Sequence, residues 1–345
     1  MKILITGTEG YIGARLAPWL AAAGHEVSGL DAGFYHDGCL YTDPIGIPTA
    51  PRTVFKDLRN IEPRDFAGQD AVIHLAELSN DPLGQNRPEL TFRINHEGSV
   101  RIAQAARAAG VRRFVYASSC SVYGVGTGEY LDETSPTNPQ TAYAECKVRV
   151  ERDVRPMADA NFCVVFLRNA TAYGPSPRMR FDIVLNDLCA LAWTRHKIAM
   201  VSDGSPWRPI VHVEDICEAM RCAVEAPASA VNGEIFNVGR TSENYRVREI
   251  ATIVANAFPG CEVTAGPPGK DNRSYRVTFD KIARGLPGFE ARWSAADGAR
   301  ELRRLFERIA FTQTDHEHRT FTRLKQIRYL LATRQVDDDL FWSPR

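Results

Sequence analysis

Residues 6–13 read Thr-Gly-Thr-Glu-Gly-Tyr-Ile-Gly, and no other stretch restricts the fold as much. The glycines at 7, 10 and 13 follow an apolar, β-branched run, Lys2–Thr6, and open a helical pattern over Tyr11–Ala23. In a strand–turn–helix of this kind each glycine has its own task. Gly7 permits the tight turn, Gly10 lets the backbone approach a pyrophosphate, and Gly13 lets the helix pack close to the sheet. The helix N-terminus contributes unpaired N–H groups and the positive end of its dipole. The turn, with Tyr11 and Ile12 inside it, therefore reads as a dinucleotide-binding site.

The rest of the first two-thirds repeats the alternation. Strand-like runs at Glu26–Leu30, Thr53–Lys56, Ala71–His74, Phe114–Ala117 and Cys163–Leu167 are separated by helical patterns such as Leu90–Ala109. Short apolar runs between amphipathic helices predict a doubly wound parallel sheet covered on both faces. Asp31 ends the second run. A carboxylate there accepts hydrogen bonds from both adenosine ribose hydroxyls and repels a 2′-phosphate. The next residues, Ala32 and Gly33, offer no cation for such a phosphate, so NAD is expected over NADP. Asp57, after the third run, is expected at the adenine, with a helix N-cap as its competing role. The long loop Asp31–Arg52 reads as functional or mobile.

Tyr143 and Lys147 form Tyr-x-x-x-Lys in a helical stretch after Pro139. The i, i+4 spacing puts both on one helix face. A neighbouring ammonium favours tyrosinate and makes the phenol usable as a base or acid near neutral pH. Upstream, the fifth run ends in Ala-Ser-Ser-Cys-Ser-Val-Tyr-Gly, residues 117–124. Its hydroxyls are expected at the sheet's carboxyl edge, beside the cofactor crevice.

Together these stretches resemble the extended short-chain dehydrogenase/reductase family, in its nucleotide-sugar epimerase/dehydratase branch, over about residues 1–310. The other matching segments are Asp57-Leu58, His74-Leu75-Ala76, Asn95 in Ile-Asn-His-Glu-Gly, and Arg208 to Asp215. The resemblance implies a Rossmann-type sheet over 1–167, to which the chain returns at about 208–238. It implies a smaller mixed C-terminal substrate domain from 168–207 and 239–310, with 311–345 as a helical tail. It implies NAD held by Gly7, Gly10, Tyr11, Ile12, Gly13, Asp31, Asp57, Leu58, Leu75, Ala76, Asn95, Tyr143 and Lys147. Ser119 would bind the reacting hydroxyl, Tyr143 would be the base, and Lys147 would also meet the nicotinamide ribose. Ser121, Thr171 and Asn186 would face the sugar nucleotide, and Arg208 and Arg273 its diphosphate, where guanidinium pairs well with phosphate.

The chain departs from the family at several points. Sugar 4,6-dehydratases place Asp and Glu directly after the Ser/Thr, whereas Cys120 and Ser121 stand here, which disfavours dehydration. Thr171 replaces the usual substrate-contacting Asn. Glu77 sits where Ala is common, and is expected either to read sugar hydroxyls or to cap the next helix. His74 reads as structural or functional with equal weight. His316-x-His318 has no evident third ligand, so no metal is expected.

Composition excludes other classes. Lys plus Arg equals Asp plus Glu, 42 against 42, which argues against a nucleic-acid or anionic-membrane partner. No apolar run reaches the roughly 18 residues of a membrane span. Met1 leads straight into a strand-like run without leader features, so a cytoplasmic location is expected. The eight cysteines form no C-x-x-C pair and are expected to be reduced core residues. The basic stripe Arg319–Arg334 is expected to pack on the protein's own body, with a dimer face as the alternative. A homodimer is expected from the resemblance. The leading functional expectation is an NAD-dependent C4 epimerase of a nucleotide-activated sugar. The alternatives are an NAD(P)H-dependent ketoreductase on a nucleotide-linked 4-keto-6-deoxy sugar and a non-catalytic NAD-binding regulator.

Overall fold

The structure is a computed structural model that describes residues 1–42, 51–79, 87–267, 269 and 273–344. Part of the Asp31–Arg52 loop falls outside the described residues. The central sheet holds β1 (Lys2–Thr6), β2 (Glu26–Asp31), β3 (Thr53–Phe55), β4 (Ala71–His74), β5 (Arg113–Ser119), β7 (Cys163–Asn169) and β11 (Glu234–Val238). Between β5 and β7 in the chain lies β6 (Val125–Leu131), outside this sheet. The spatial order is β11-β7-β5-β4-β1-β2-β3, and every pairing is parallel. The chain runs outward from β1 to β3 and then crosses back to β4 on the other side of β1. That reversal opens a crevice beyond the carboxyl ends of β1 and β4.

The strands read as unbroken apolar runs because successive side chains enter two different cores. Ile3, Ile5, Ile73, Val115, Val165 and Leu167 point to one face. Leu4, Val72, Phe114, Tyr116, Val164 and Phe166 point to the other. Burial of each such side chain contributes about 1.5–3 kcal/mol. The first face is covered by α1 (Gly13–Ala22) and by a helix over Val213–Glu225. The second is covered by Gly98–Ala108 and Ala142–Val154. The expected Leu90–Ala109 helix contains a π-helical segment, Phe92–Glu97, which a 3.6-residue period does not reveal.

Three smaller sheets lie outside the central one. β8 (Thr171–Tyr173) runs parallel to β10 (Trp207–His212), which pairs antiparallel with β12 (Asn244–Arg246). β9 (Lys197–Ala199) pairs with β13 (Glu262–Thr264), and β6 with β14 (Ser274–Val277). A third core forms behind them, with Leu185, Ile210, Ile250, Val254, Leu302 and Phe306.

The basic stripe packs on the body. Ile327 and Leu330 of the Arg323–Ala332 helix are buried in the second core with Phe34 and Leu58. The expectation for the cysteines needs correction. Six are buried, but Cys39 is exposed, and Cys261 is only partly buried, packed against the third core from its edge. No helix among the described residues is long and apolar enough to cross a membrane.

Candidate active site

A cavity of about 860 Å³ fills the crevice. Along one wall runs the glycine turn. Gly7 has φ +85°, and a Cβ on Gly13 would lie 2.1 Å from the Gly7 carbonyl oxygen. Only glycine permits this closeness, and it leaves the backbone between β1 and α1 open to a phosphate. Asp31 ends β2 at the cavity. Its Oδ1 accepts from Gly33 N at 2.7 Å and its Oδ2 from Glu9 N at 2.9 Å. Burial pushes the Asp31 pKa up, and those two N–H donors work against the shift. A glycine cradle with a strand-end carboxylate beyond it fits a dinucleotide.

Seventeen of the expected residues line this cavity: Gly7, Gly10, Tyr11, Ile12, Gly13, Asp31, Asp57, Leu58, Leu75, Ala76, Ser119, Ser121, Tyr143, Lys147, Thr171, Arg208 and Arg273. The Asp57 carboxylate is already engaged. It caps the turn Leu58–Asn60 and receives Arg59 Nη2 at 2.6 Å. Arg208 donates to the Arg273 carbonyl, which ties the two expected diphosphate ligands together.

Two expected residues are not among those lining the cavity. Asn95, fully buried on the π-helical segment, accepts from Leu78 N at 2.8 Å and donates to Leu78 O at 3.1 Å. It pins the loop after β4. Asn186 is likewise buried, accepting from Gly174 N at 3.0 Å and donating to Arg180 O at 3.1 Å. It fixes the chain after β8 beside the cavity. Both side chains are held by tertiary partners that the sequence does not display.

The chemical centre lies where β4, β5 and the Ala142–Val154 helix meet. Ser119 ends β5, and its Oγ accepts from Ser121 N at 3.1 Å. Ser121 Oγ and Asn169 Oδ1 are buried without a hydrogen-bond partner among the described residues, and both residues line the cavity. Thr141 caps the helix start by accepting from Ala144 N, which fixes where Tyr143 and Lys147 emerge. Lys147 Nζ lies 5.3 Å from the Tyr143 ring centroid. It donates to the Ala117 carbonyl at 2.5 Å and pairs with Glu77 Oε2 at 2.8 Å. Burial alone would lower the Lys147 pKa; Glu77 and Tyr143 outweigh it and hold the group above the ordinary lysine value. Among the described residues Glu77 caps no helix, and its carboxylate is turned to Lys147, Tyr116 and Ser99.

His74 is structural. Its Nδ1 shares a hydrogen bond with Thr6 Oγ1 at 2.6 Å and its Nε2 with Ser99 Oγ at 2.7 Å. Burial, then the Lys147 charge, pushes its pKa down to about 3. His316 bonds Asp187 at 2.9 Å, and no group of three metal-ligating side chains occurs among the described residues.

Sequence reasoning missed Arg180, Asp182 and Arg323, all of which line the cavity. Arg180 pairs with Asp182 at 2.8 Å and donates to Ser79 Oγ at 3.2 Å, joining the segment after β8 to the loop after β4. Arg323 comes from the C-terminal helix. It lies 4.1 Å from the Tyr35 ring centroid and within the field of Asp31. Ala32 and Gly33 offer no cation next to Asp31, and the tail brings one from elsewhere in the chain. No signal in the sequence links positions so far apart.

The sequence pattern of the NAD dependent epimerase/dehydratase family matches residues 3–239, and the chain belongs to that family. It is an NAD-dependent enzyme of the extended short-chain dehydrogenase/reductase type. A UDP-glucose 4-epimerase of Mycolicibacterium smegmatis is 31% identical over 312 residues, covering 86% of this chain and 96% of the relative. Among solved structures, DesIV, a dTDP-glucose 4,6-dehydratase of Streptomyces venezuelae with NAD bound, is similar at TM-score 0.77 and 25% identity. That match covers 91% of this chain and all of DesIV. MoeE5 in complex with UDP-glucose and NAD is similar at TM-score 0.73 and 26% identity, over 89% of this chain and all of MoeE5.

Proposed function

We propose that this enzyme acts on a nucleotide-activated sugar and inverts C4 through transient oxidation to a 4-keto intermediate. One observation carries the reading. Ser119, Tyr143 and Lys147 converge on the cavity, while the position after Ser119 holds a sealed thiol instead of an acid. Cys120 is 1% exposed and donates to the Arg168 carbonyl at 3.1 Å, and burial pushes its pKa far above the ordinary thiol value. Such a thiol does not exchange protons with a ligand near neutral pH. Elimination of water needs an acid and a base beside the oxidised carbon, and neither Cys120 nor Ser121 supplies one. The identity to the Mycolicibacterium smegmatis epimerase supports inversion, and the UDP-glucose held by MoeE5 supports the substrate class.

NAD, when bound, supplies the acceptor for the hydride and its donor on return. Tyr143 takes the proton of the C4 hydroxyl and gives it back after the sugar has turned over. Ser119 Oγ, positioned by the Ser121 N–H, hydrogen-bonds the same oxygen. Lys147 favours the phenolate form of Tyr143. Arg208 and Arg273 pair with the diphosphate, and Thr171, Ser121 Oγ and Asn169 Oδ1 meet sugar hydroxyls.

The test is to denature freshly purified protein, identify the released nucleotide by mass spectrometry, and assay UDP-, dTDP-, GDP- and CDP-sugars for epimerisation. Near-stoichiometric NAD and C4 inversion of one of them are expected. Protein that carries no nucleotide and oxidises added NADH or NADPH with a 4-keto sugar would overturn the reading in favour of a ketoreductase.

A further inference from the structure

Glu77 is a buried carboxylate that the reaction above does not use. It follows β4, and its side chain is 2% exposed against 5% for Lys147. Its Oε1 accepts from Tyr116 Oη at 2.5 Å and from Ser99 Oγ at 3.3 Å, while Oε2 meets Lys147 Nζ at 2.8 Å. The ammonium has three N–H donors. One goes to the Ala117 carbonyl, while the nitrogen forms its ion pair with Glu77 Oε2 and sits 4.6 Å from the Tyr116 ring centroid. Lys147 is thus fixed against β5 from two sides before any ligand arrives.

The charge consequence follows from the groups that the described residues place around Tyr143 and the ammonium beside it. Its own helix brings Lys147, with Cys146 and Glu151 beside it. The end of β4 brings Glu77 and His74, and β5 brings Tyr116. The segment after β8 brings Arg180, itself paired with Asp182. His74 is neutral near pH 7, and Glu151 is paired with Arg168 at 2.6 Å. Among the described residues, Glu77 is therefore the carboxylate set against the ammonium that acts on the phenol. A buried pair presents Tyr143 with a dipole where an unpaired ammonium would present a full positive charge.

We propose that Glu77 is a positioning residue: it locks the Lys147 ammonium against β5 and balances its charge, so that Tyr143 gives up its proton at a higher pH than it would beside an unpaired lysine. The proposal rests on Tyr143 being the base. Its consequence is a phenol that stays protonated over more of the neutral range, with an acid limb of activity placed correspondingly high.

The experiment reads the phenol directly. Tyrosinate absorbance is titrated from pH 6 to 10.5 in the NAD-loaded enzyme, in Glu77→Gln and in Glu77→Asp, each with its Tyr143→Phe counterpart subtracted. Gln keeps the size and the hydrogen bond to Tyr116 but not the charge. The Tyr143 signal in Glu77→Gln should move to lower pH by about one to two units, a tenfold to hundredfold change in proton affinity. Glu77→Asp should bring it back toward the parent value. Should the Gln variant fail to fold, Glu77→Ala, which admits water beside the ammonium, makes the same comparison. An unmoved titration in a folded, NAD-retaining variant would overturn the proposal, as would equal shifts in the Asp and Gln variants. No sugar enters the titration, so an error in substrate or carbon leaves this result unaffected. An absent Tyr143-dependent signal in the parent enzyme would instead remove the base assignment.

Discussion

Replacing Asp31 by Ser tests how the adenosine end chooses its cofactor. The carboxylate holds two backbone N–H donors, from Gly33 and Glu9, at 2.7 and 2.9 Å. Removing it forfeits its hydrogen bonds to the ribose hydroxyls, worth about 1.5–3 kcal/mol each for a charged acceptor. It also releases those N–H groups toward the cavity that Arg323 lines. Burial, then Arg180, pushes the Arg323 pKa down to about 10, so the guanidinium is still charged at neutral pH. Two free N–H groups and a cation form an anion receptor. The repulsion lost between carboxylate and a 2′-phosphate some 4–5 Å apart is about 3–4 kcal/mol at an effective dielectric constant near 20. Together these terms lower the preference for NAD over NADP by at least about 100-fold. The assay is calorimetric titration of nucleotide-stripped protein with each cofactor. The added change Arg323→Ala should weaken the gained NADP affinity again. A ratio altered less than threefold by Asp31→Ser, or NADP affinity indifferent to Arg323, would refute the reasoning.

Other consequences are as direct. Tyr143→Phe should retain NAD on purification yet lose turnover by about 10²–10⁴-fold, the usual contribution of a general base; activity within a few fold of the parent would remove Tyr143 from that role. Gly13→Ala places a Cβ 2.1 Å from the Gly7 carbonyl oxygen and should cost about 1–3 kcal/mol in thermal unfolding, with loss of bound NAD. For His74, whose pKa is about 3 in the folded chain and near 6.5 unfolded, the unfolded state binds the proton first. Its contribution is present above pH 6.5 and is lost as pH falls toward 3, by up to about 1.4 kcal/mol per unit. His74→Gln should flatten that part of the stability–pH curve relative to the parent, and identical curves would contradict the burial argument.

What the sequence determined by itself is what short-range geometry dictates. The glycine turn was legible because a strand, three glycines and a helix within a dozen residues admit few backbone paths. The shared face of Tyr143 and Lys147 follows from helix pitch alone. The two-faced sheet follows from apolar runs in which alternate residues enter opposite cores. Asn95 and Asn186 show where such reading stops. Each stands in a legible motif, yet which backbone groups its amide meets, here those of Leu78 and Gly174, is set by the fold. Glu77 shows the same from the other side. Nothing in the residues around it reveals that it faces Lys147, 70 positions on, because that pairing depends on β4, β5 and a helix closing together. Arg323 is the extreme case. The tail packs Ile327 and Leu330 into the core under Phe34, and in doing so carries a cation to the carboxylate at the end of β2. Local sequence sets the backbone and the faces; long-range burial decides which charges meet, and with them the chemistry of the site.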